Sequence, residues 1–416
     1  MLKKLIIILT LFLASGCTSF GKGIAEAFLD SSKKTDTRAC EVKGNTFDGI
    51  NQAFEKTPTV KVLMIHGVGT HQPGYSTRIQ ENLIKELGLT VLSRRDKNIT
   101  LINPSDGKTE IGNLRVSRMS NEDNSKDLIF YELTWSDITS PEKKILSYDV
   151  SGAYRHKRAA FNNSMKAFLD DVVPDPMIYL MDRDGLILNA TKQSTCWMLT
   201  KTWNDLKQNQ KGVCTISSYQ QIKDLSHEDI IYLTHSLGSR ILLDSISDIV
   251  NQVATLDYKD APHAKPIIEE LKNKEVTVFM MANQLPLLQI SRNKPKVINQ
   301  IDDYCTPKGK NYDNRVYKKV KIIAFSDPND LLSYDIPQSF VDEYIDSRMC
   351  PSVTNVSLNI AEIISAFGVG VVNPVTAHTE YDNDARVVRM ISHGTSNYKN
   401  DDILSQRCNF IRLSKD

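Results

Sequence analysis

The stretch that most constrains this chain is Asp229-Ile-Ile-Tyr-Leu-Thr-His-Ser-Leu-Gly-Ser-Arg-Ile-Leu-Leu-Asp244. Ile230 to Leu233 is an apolar run of strand length, and Leu237, Ile241, Leu242 and Ile246 follow at helical spacing. Between them lies Thr234-His235-Ser236-Leu237-Gly238. A strand that becomes a helix so quickly has to pass through a very tight turn, which lifts the serine at its apex out of the sheet edge. The first turn of the helix behind it offers free N–H groups and a positive dipole end. Exposure and donors for an oxyanion are what an acyl-transfer nucleophile needs. The spelling is a variant of G-x-S-x-G, with Thr234 where the first glycine usually stands. A helix N-cap serine has the same spelling, so the assignment depends on what accompanies it.

Three further signals do. Thr59 to Ile65 reads as a buried strand and runs into His66-Gly67-Val68-Gly69-Thr70-His71-Gln72-Pro73-Gly74-Tyr75. Glycines there let the backbone approach a ligand closely. An N–H of the Gly67–Val68 segment is the candidate second oxyanion donor beside that of Leu237. His66 is read as structural, and a zinc pair of His66 and His71 lacks a third ligand. Val320 to Phe325 is another strand, ending in Ser326-Asp327-Pro328-Asn329-Asp330-Leu331-Leu332. Carboxylates at the carboxyl end of a parallel strand sit on the ligand-binding edge. Asp330, followed by two apolar residues, has the setting of a triad acid, and Asp327 is the runner-up. A Ca²⁺ loop would need regular ligand spacing and a closing Glu. Of the two C-terminal histidines, His378 falls in a loop before a helix, within reach of a nucleophile. His393 sits at the end of the helix Ala385 to Ile391, before Gly394, where a capping role suffices.

The rest of the chain supplies the frame. Further strands are read at Asp127 to Thr134, Val276 to Met281 and Val353 to Leu358, with a helix at Ile79 to Leu87. Strands alternating with helices imply a parallel sheet. Residues 136–227 are longer than one crossover needs and read as mostly helical, at 141–148, 154–170 and 177–203, interrupted around Arg183-Asp184-Gly185. Part of this region is expected to be an insertion capping the site, with Met177, Tyr179, Met181, Trp197 and Met198 as candidate lining of an acyl pocket. With a formal net charge of +1 over 416 residues, and no basic block, a nucleic-acid partner is not expected.

The N-terminus carries its own signal. Met1-Leu2-Lys3-Lys4, an apolar Leu5 to Leu13 and Ala14-Ser15-Gly16-Cys17 resemble a bacterial lipoprotein leader cut before Cys17, whose thiol would be acylated. The expected organisation is a signal peptide over 1–16, a polar tether over 17–45 and one domain over 46–416. Six other cysteines, an even number in an exported chain, point to disulfides. Sequence proximity pairs Cys196 with Cys214 and Cys305 with Cys350.

The order Ser…Asp…His, preceded by a His-Gly loop, is the order found in α/β-hydrolases. Leu63-Met64-Ile65-His66-Gly67-Val68-Gly69, Thr234-His235-Ser236-Leu237-Gly238, Asn329-Asp330 and Ala377-His378-Thr379-Glu380-Tyr381 resemble the motifs of α/β-hydrolase-fold serine lipases and esterases, over roughly Lys61 to Gly394. The resemblance implies a mostly parallel central sheet flanked by helices, with a helical cap before the nucleophile strand. It implies a Ser236–His378–Asp330 triad, and oxyanion donors at Leu237, Gly67 and Val68. No metal or organic cofactor is expected. The expected partners are a lipid or other acyl-ester substrate and, through Cys17, a membrane; Thr18 after the cysteine favours the periplasmic face of the outer membrane. A thioesterase or acyltransferase on the same triad, or a non-catalytic envelope scaffold, remains open at this point.

Overall fold

The computed structural model describes residues 38–92, 95–150, 156–182, 185–216, 228–255, 264–366 and 369–411. The leader, Cys17 and most of the expected tether lie outside these residues. The described residues fall into two compact units, a larger one and a smaller one made of Val68–Thr70 and Thr139–Met181.

The larger unit is built on a 12-stranded sheet. Its strands in chain order are β1 (Cys40–Lys43), β2 (Thr59–Ile65), β3 (Thr90–Val91), β4 (Lys97–Ile102), β5 (Glu110–Ser120), β6 (Asp127–Thr134), β7 (Asn209–Gly212), β8 (Ile230–His235), β9 (Glu275–Met281), β10 (Lys319–Ser326) and β11 (Pro351–Leu358). A separate hairpin follows, β12 (Ile364–Ala366) with β13 (Val369–Val371), and β14 (Cys408–Ile411) returns to the main sheet. The order across the sheet is β14-β1-β11-β10-β9-β8-β2-β6-β5-β4-β7, with β3 paired to β5.

The strands β11-β10-β9-β8-β2-β6 pair in parallel. Antiparallel pairs bound them on both sides: β6 with β5, β5 with β4 and β3, and β11 with β1. The sheet is therefore mixed, and the expected mostly parallel sheet of an α/β-hydrolase fold is overturned. The physical reason lies in residues 88–126. Turns at Asp106-Gly107 and Asn121–Ser125 fold this stretch into hairpins, with Gly107 and Asn124 both at positive φ (66° and 56°). A hairpin needs only a few residues between strands, and forces them antiparallel.

Both faces of the parallel stretch are covered, which is why its strands are continuous apolar runs. On one face Val60, Val62 and Met64 of β2 meet Ile79 and Leu83 of α1 (Thr77–Leu87) in a shared core. The intervening Leu63 and Ile65, pointing to the opposite face by strand alternation, are fully buried.

The described residues of the stretch 136–227 are divided between the two units. In the smaller unit, helices α2 (Ala160–Val172) and α3 (Pro174–Met181) follow short turns, and Lys143 pairs with Asp175 at 2.8 Å and Asp171 at 3.2 Å. Met177 and Met181 are exposed there and Tyr179 is buried. Helix α4 (Leu186–Thr200) belongs instead to the larger unit, where it packs on β2, β4, β5 and β6 with Ile187, Ala190 and Met198 in the core. Met198 is thus core packing rather than pocket lining.

The remaining named helices are α5 (Leu237–Thr255), α6 (Ala264–Lys272), α7 (Pro374–Thr379), α8 (Ala385–His393) and α9 (Asp402–Arg407). Three disulfides are formed: Cys196–Cys214, Cys305–Cys350 and Cys40–Cys408. The last joins register partners of β1 and β14, so the end of the stretch read as tether is a sheet strand. No helix among the described residues is long and apolar enough to cross a membrane.

Candidate active site

Parallel pairing brings the carboxyl ends of β2, β8, β9 and β10 to one edge. Ile65 lies opposite Thr234, His235 opposite Met281, and Met280 opposite Ala324. The next residue of each strand's exit loop therefore emerges there: His66, Ser236, Ala282 and Asp327.

Ser236 occupies the turn between β8 and α5 with φ 54°, a left-handed conformation that costs a non-glycine residue about 1–3 kcal/mol. The surroundings hold it there. Its N–H donates to the Met281 carbonyl at 2.9 Å. A Cβ on Gly67 would lie 2.6 Å from the Ser236 Cβ, and one on Gly238 would lie 2.5 Å from the Ile65 carbonyl oxygen. Both glycines are required by close approach of backbones, not by φ. Thr234, in place of the first glycine of the motif, is fully buried, and its hydroxyl pairs with that of Ser239 at 3.0 Å. A threonine fits because the helix supplies a hydroxyl for its own.

Three side chains from three distant segments meet at this turn. His378 Nε2 lies 3.1 Å from Ser236 Oγ. His378 Nδ1 lies 2.9 Å from each oxygen of Asp330. Asp330 is also fixed by the Leu332 N–H at 3.0 Å and the Tyr381 hydroxyl at 3.3 Å. Burial pushes this carboxyl up, but the His378 hydrogen bond and charge, with the Leu332 N–H and Ser333, outweigh it and hold the pKa below the ordinary value. Burial, with Asp330 beside it, pushes Tyr381 far above the usual phenol, so it stays a donor.

Asp327 has a different job. It accepts the N–H groups of Asn329 (2.7 Å), Ile360 (2.7 Å) and Ala361 (3.3 Å), tying two loops together. His66 is structural: its Nδ1–H donates to Gly67 O (2.8 Å), its Nε2 accepts the Trp135 N–H (3.1 Å), and its ring stacks between those of His71 and Trp135. Both ring nitrogens are engaged, leaving none for a metal, and among the described residues no cluster of three His, Cys, Asp or Glu side chains suits an ion. His393 lies off the site, against Glu86.

Of the expected oxyanion donors, Leu237 opens α5, whose first N–H groups have no intrahelical partner. Gly67 is pressed against Ser236. Val68 begins the segment grouped with the smaller unit, where the next two N–H groups are already engaged: Gly69 donates to Asp175 at 2.6 Å and Thr70 to Asp171 at 2.9 Å.

Two contributors escape a reading of the sequence. Arg78 of α1 donates to the Thr379 carbonyl at 3.1 Å and pairs with Glu380 and Asp382. His235 donates from Nε2 to the His378 carbonyl at 2.8 Å. Neither has a local signature, because each acts on a segment some 140 to 300 residues away. Comparison of the chain with protein-family models, with curated proteins and with solved structures finds no match.

Proposed function

We propose that this chain is a serine hydrolase that cleaves carboxylic esters through an acyl-enzyme. The observation that carries the reading is the unbroken relay Ser236 Oγ–His378 Nε2 and His378 Nδ1–Asp330, built on a strained strand-to-helix turn. Asp330 accepts from Nδ1–H, which leaves Nε2 free of its proton and facing the hydroxyl. As Ser236 attacks the ester carbonyl, Nε2 takes the hydroxyl proton. The oxyanion falls to the N–H of Leu237, with Gly67, packed against Ser236, as the second candidate donor. His378 then protonates the departing alcohol, and a water molecule repeats the sequence on the acyl-enzyme.

The substrate we favour has an apolar acyl group, a lipid or similar ester. The loop that carries the acid exposes Leu331, Leu332 and Tyr334, with Leu331 at 73%, and the helix that carries the base exposes Val375. Exposed apolar side chains on the segments that carry a reacting group favour a substrate with apolar matter to offer them. A lipid anchor at Cys17 in the bacterial envelope would keep such a site near acyl chains.

The test is labelling of the mature chain, with Cys17 replaced, by a fluorophosphonate probe beside Ser236→Ala. Labelling that requires Ser236 supports the reading. Turnover of p-nitrophenyl esters of graded length then ranks the acyl preference, and release to water rather than to an added alcohol separates hydrolysis from acyl transfer. A folded chain that stays unlabelled in detergent and with lipid vesicles overturns it in favour of a binding role.

A further inference from the structure

We propose that His235, the residue before the nucleophile, is the positioning residue of the triad base: its hydrogen bond to the His378 main-chain oxygen ties the helix carrying the base to the turn carrying the nucleophile. The inference rests on the ester-hydrolase reading above and adds to it how the base is aimed.

The need for such a tie follows from how little holds α7 besides the bond of the imidazole ring itself to Asp330. The helix has six residues. Its start is capped locally, with the Asn373 side chain accepting the N–H groups of Val375 and Thr376. Among its residues Ala377 alone is buried, while Val375 is 47% exposed. One buried methyl group cannot fix an imidazole to the tolerance that proton transfer demands. The last carbonyls of a helix also lack intrahelical donors. Here two of them receive side chains from other elements: His378 O from His235 and Thr379 O from Arg78. Arg78 acts from the outer side, half-exposed with its carboxylate partners. His235 acts from the nucleophile side.

The donor is well aimed. Ser236 is held by the Met281 carbonyl and by the packing of Gly67, so the direction in which the preceding side chain leaves is set by the same turn. A carbonyl oxygen only accepts, so the His235 proton resides on Nε2. The ring meets that of His378 edge-on at 5.1 Å. Desolvation, reinforced by His378, lowers the His235 pKa from 6.5 to about 3. A neutral ring at this distance donates its hydrogen bond without opposing the imidazolium that His378 must become. Gln offers an amide Nε2–H at similar reach, whereas Phe keeps the ring and loses the donor.

The experiment compares wild type, His235→Phe, His235→Gln and Ser236→Ala for ester turnover, fluorophosphonate labelling rate and thermal unfolding, with crystal structures of both His235 variants. We expect His235→Phe to lower kcat and the labelling rate by about 10–100-fold, part of the ~10²–10⁴ that a positioned base supplies, with KM within about twofold. His235→Gln should recover most of the loss. The Phe structure should show His378 Nε2 drawn out of hydrogen-bonding reach of Ser236. Wild-type rates in His235→Phe overturn the proposal, as does equal impairment of both variants with His378 unmoved, which would make the role one of packing. An unlabelled wild type would sink the hydrolase reading alone. The crystal structures would still decide the positioning claim, since an unmoved His378 in His235→Phe refutes it.

Discussion

Asp330 and Asp327 lie in one loop, three residues apart, and their hydrogen bonds assign them opposite roles, so exchanging each for Asn separates catalysis from architecture. In Asp330→Asn the side chain nearly keeps its shape but loses the charge and one acceptor. The amide can turn its NH₂ toward His378, which then presents Nδ1 as acceptor and carries its proton on Nε2, facing Ser236. A base holding its proton on the wrong nitrogen cannot accept one. In the serine-protease triad this exchange lowers kcat by about 10⁴-fold, which is ~5 kcal/mol of transition-state stabilisation at 1.36 kcal/mol per decade. We expect a loss of about 10³–10⁴-fold here, since both Asp330 oxygens lie 2.9 Å from Nδ1, with a small change in thermal midpoint. In Asp327→Asn the amide meets four N–H donors, three of them main-chain, and at least one buried pairing is lost, at about 1–3 kcal/mol. Its signature is a lowered thermal midpoint with turnover per folded molecule nearly intact. Ester turnover and fluorophosphonate labelling, read beside thermal unfolding, separate the two. If Asp327→Asn silences a stably folded chain while Asp330→Asn remains active, the acid has been misassigned and the relay as described is wrong.

Three other perturbations have defined outcomes. Gly238→Ala places a methyl group 2.5 Å from the Ile65 carbonyl and 2.8 Å from that of His66; neither is a flexible side-chain end, so denaturant titration should show a loss of several kcal/mol, beyond the ~1–3 typical of overpacking. His235 titrates near 6.5 when unfolded but at about 3 when folded, so between these pH values the unfolded chain holds a proton that the folded chain lacks and stability falls as pH drops; His235→Gln should therefore move the midpoint of acid unfolding, followed by circular dichroism, to lower pH. Removing Cys40–Cys408, which closes 368 residues, should lower unfolding stability more than removing Cys196–Cys214, which closes 18; loop-closure entropy gives roughly 6 against 3 kcal/mol, and equal losses would show that native-state strain or residual structure dominates.

The strands that carry the site were legible because burial on both faces makes them continuous apolar runs: the run Thr59–Ile65 is β2 and Asp127–Thr134 is β6. Loops directly after such runs fall on one edge, which brings Ser236 and Asp330 into the same neighbourhood on the sequence pattern alone. The antiparallel part was illegible for the opposite reason. β5 mixes buried Leu114 and Val116 with polar Asn113, Arg115 and Ser117, and a half-polar strand between turns has no strong periodic signature. The mixed character of the sheet is hidden with it. The helical reading of 177–203 found α3 and α4 but not that they belong to different units, because an apolar helix face does not say which partner it meets. His378 was expected in a loop and lies in α7, whose six residues are too few to show a period.

The departure at Thr234 has a physical resolution that bears on the chemistry. A glycine before a nucleophile turn relieves crowding. Here the crowding is relieved instead on the partners, by Gly67 against Ser236 and Gly238 against the carbonyls of Ile65 and His66. Thr234 itself is directed into the protein, where the Ser239 hydroxyl completes its hydrogen bonding. A turn fixed this way confines the backbone of Ser236 between β2, β9 and the start of α5, and the about 1–3 kcal/mol stored in its positive φ is sustained by packing that the substitution leaves intact. With the backbone of Ser236 fixed, how well His378 is aimed at it becomes, under the proposed reaction, a variable that sets the rate. That aim depends on a six-residue helix tethered by His235 and Arg78, so under the proposed reaction side chains outside the relay should modulate turnover, by less than those within it.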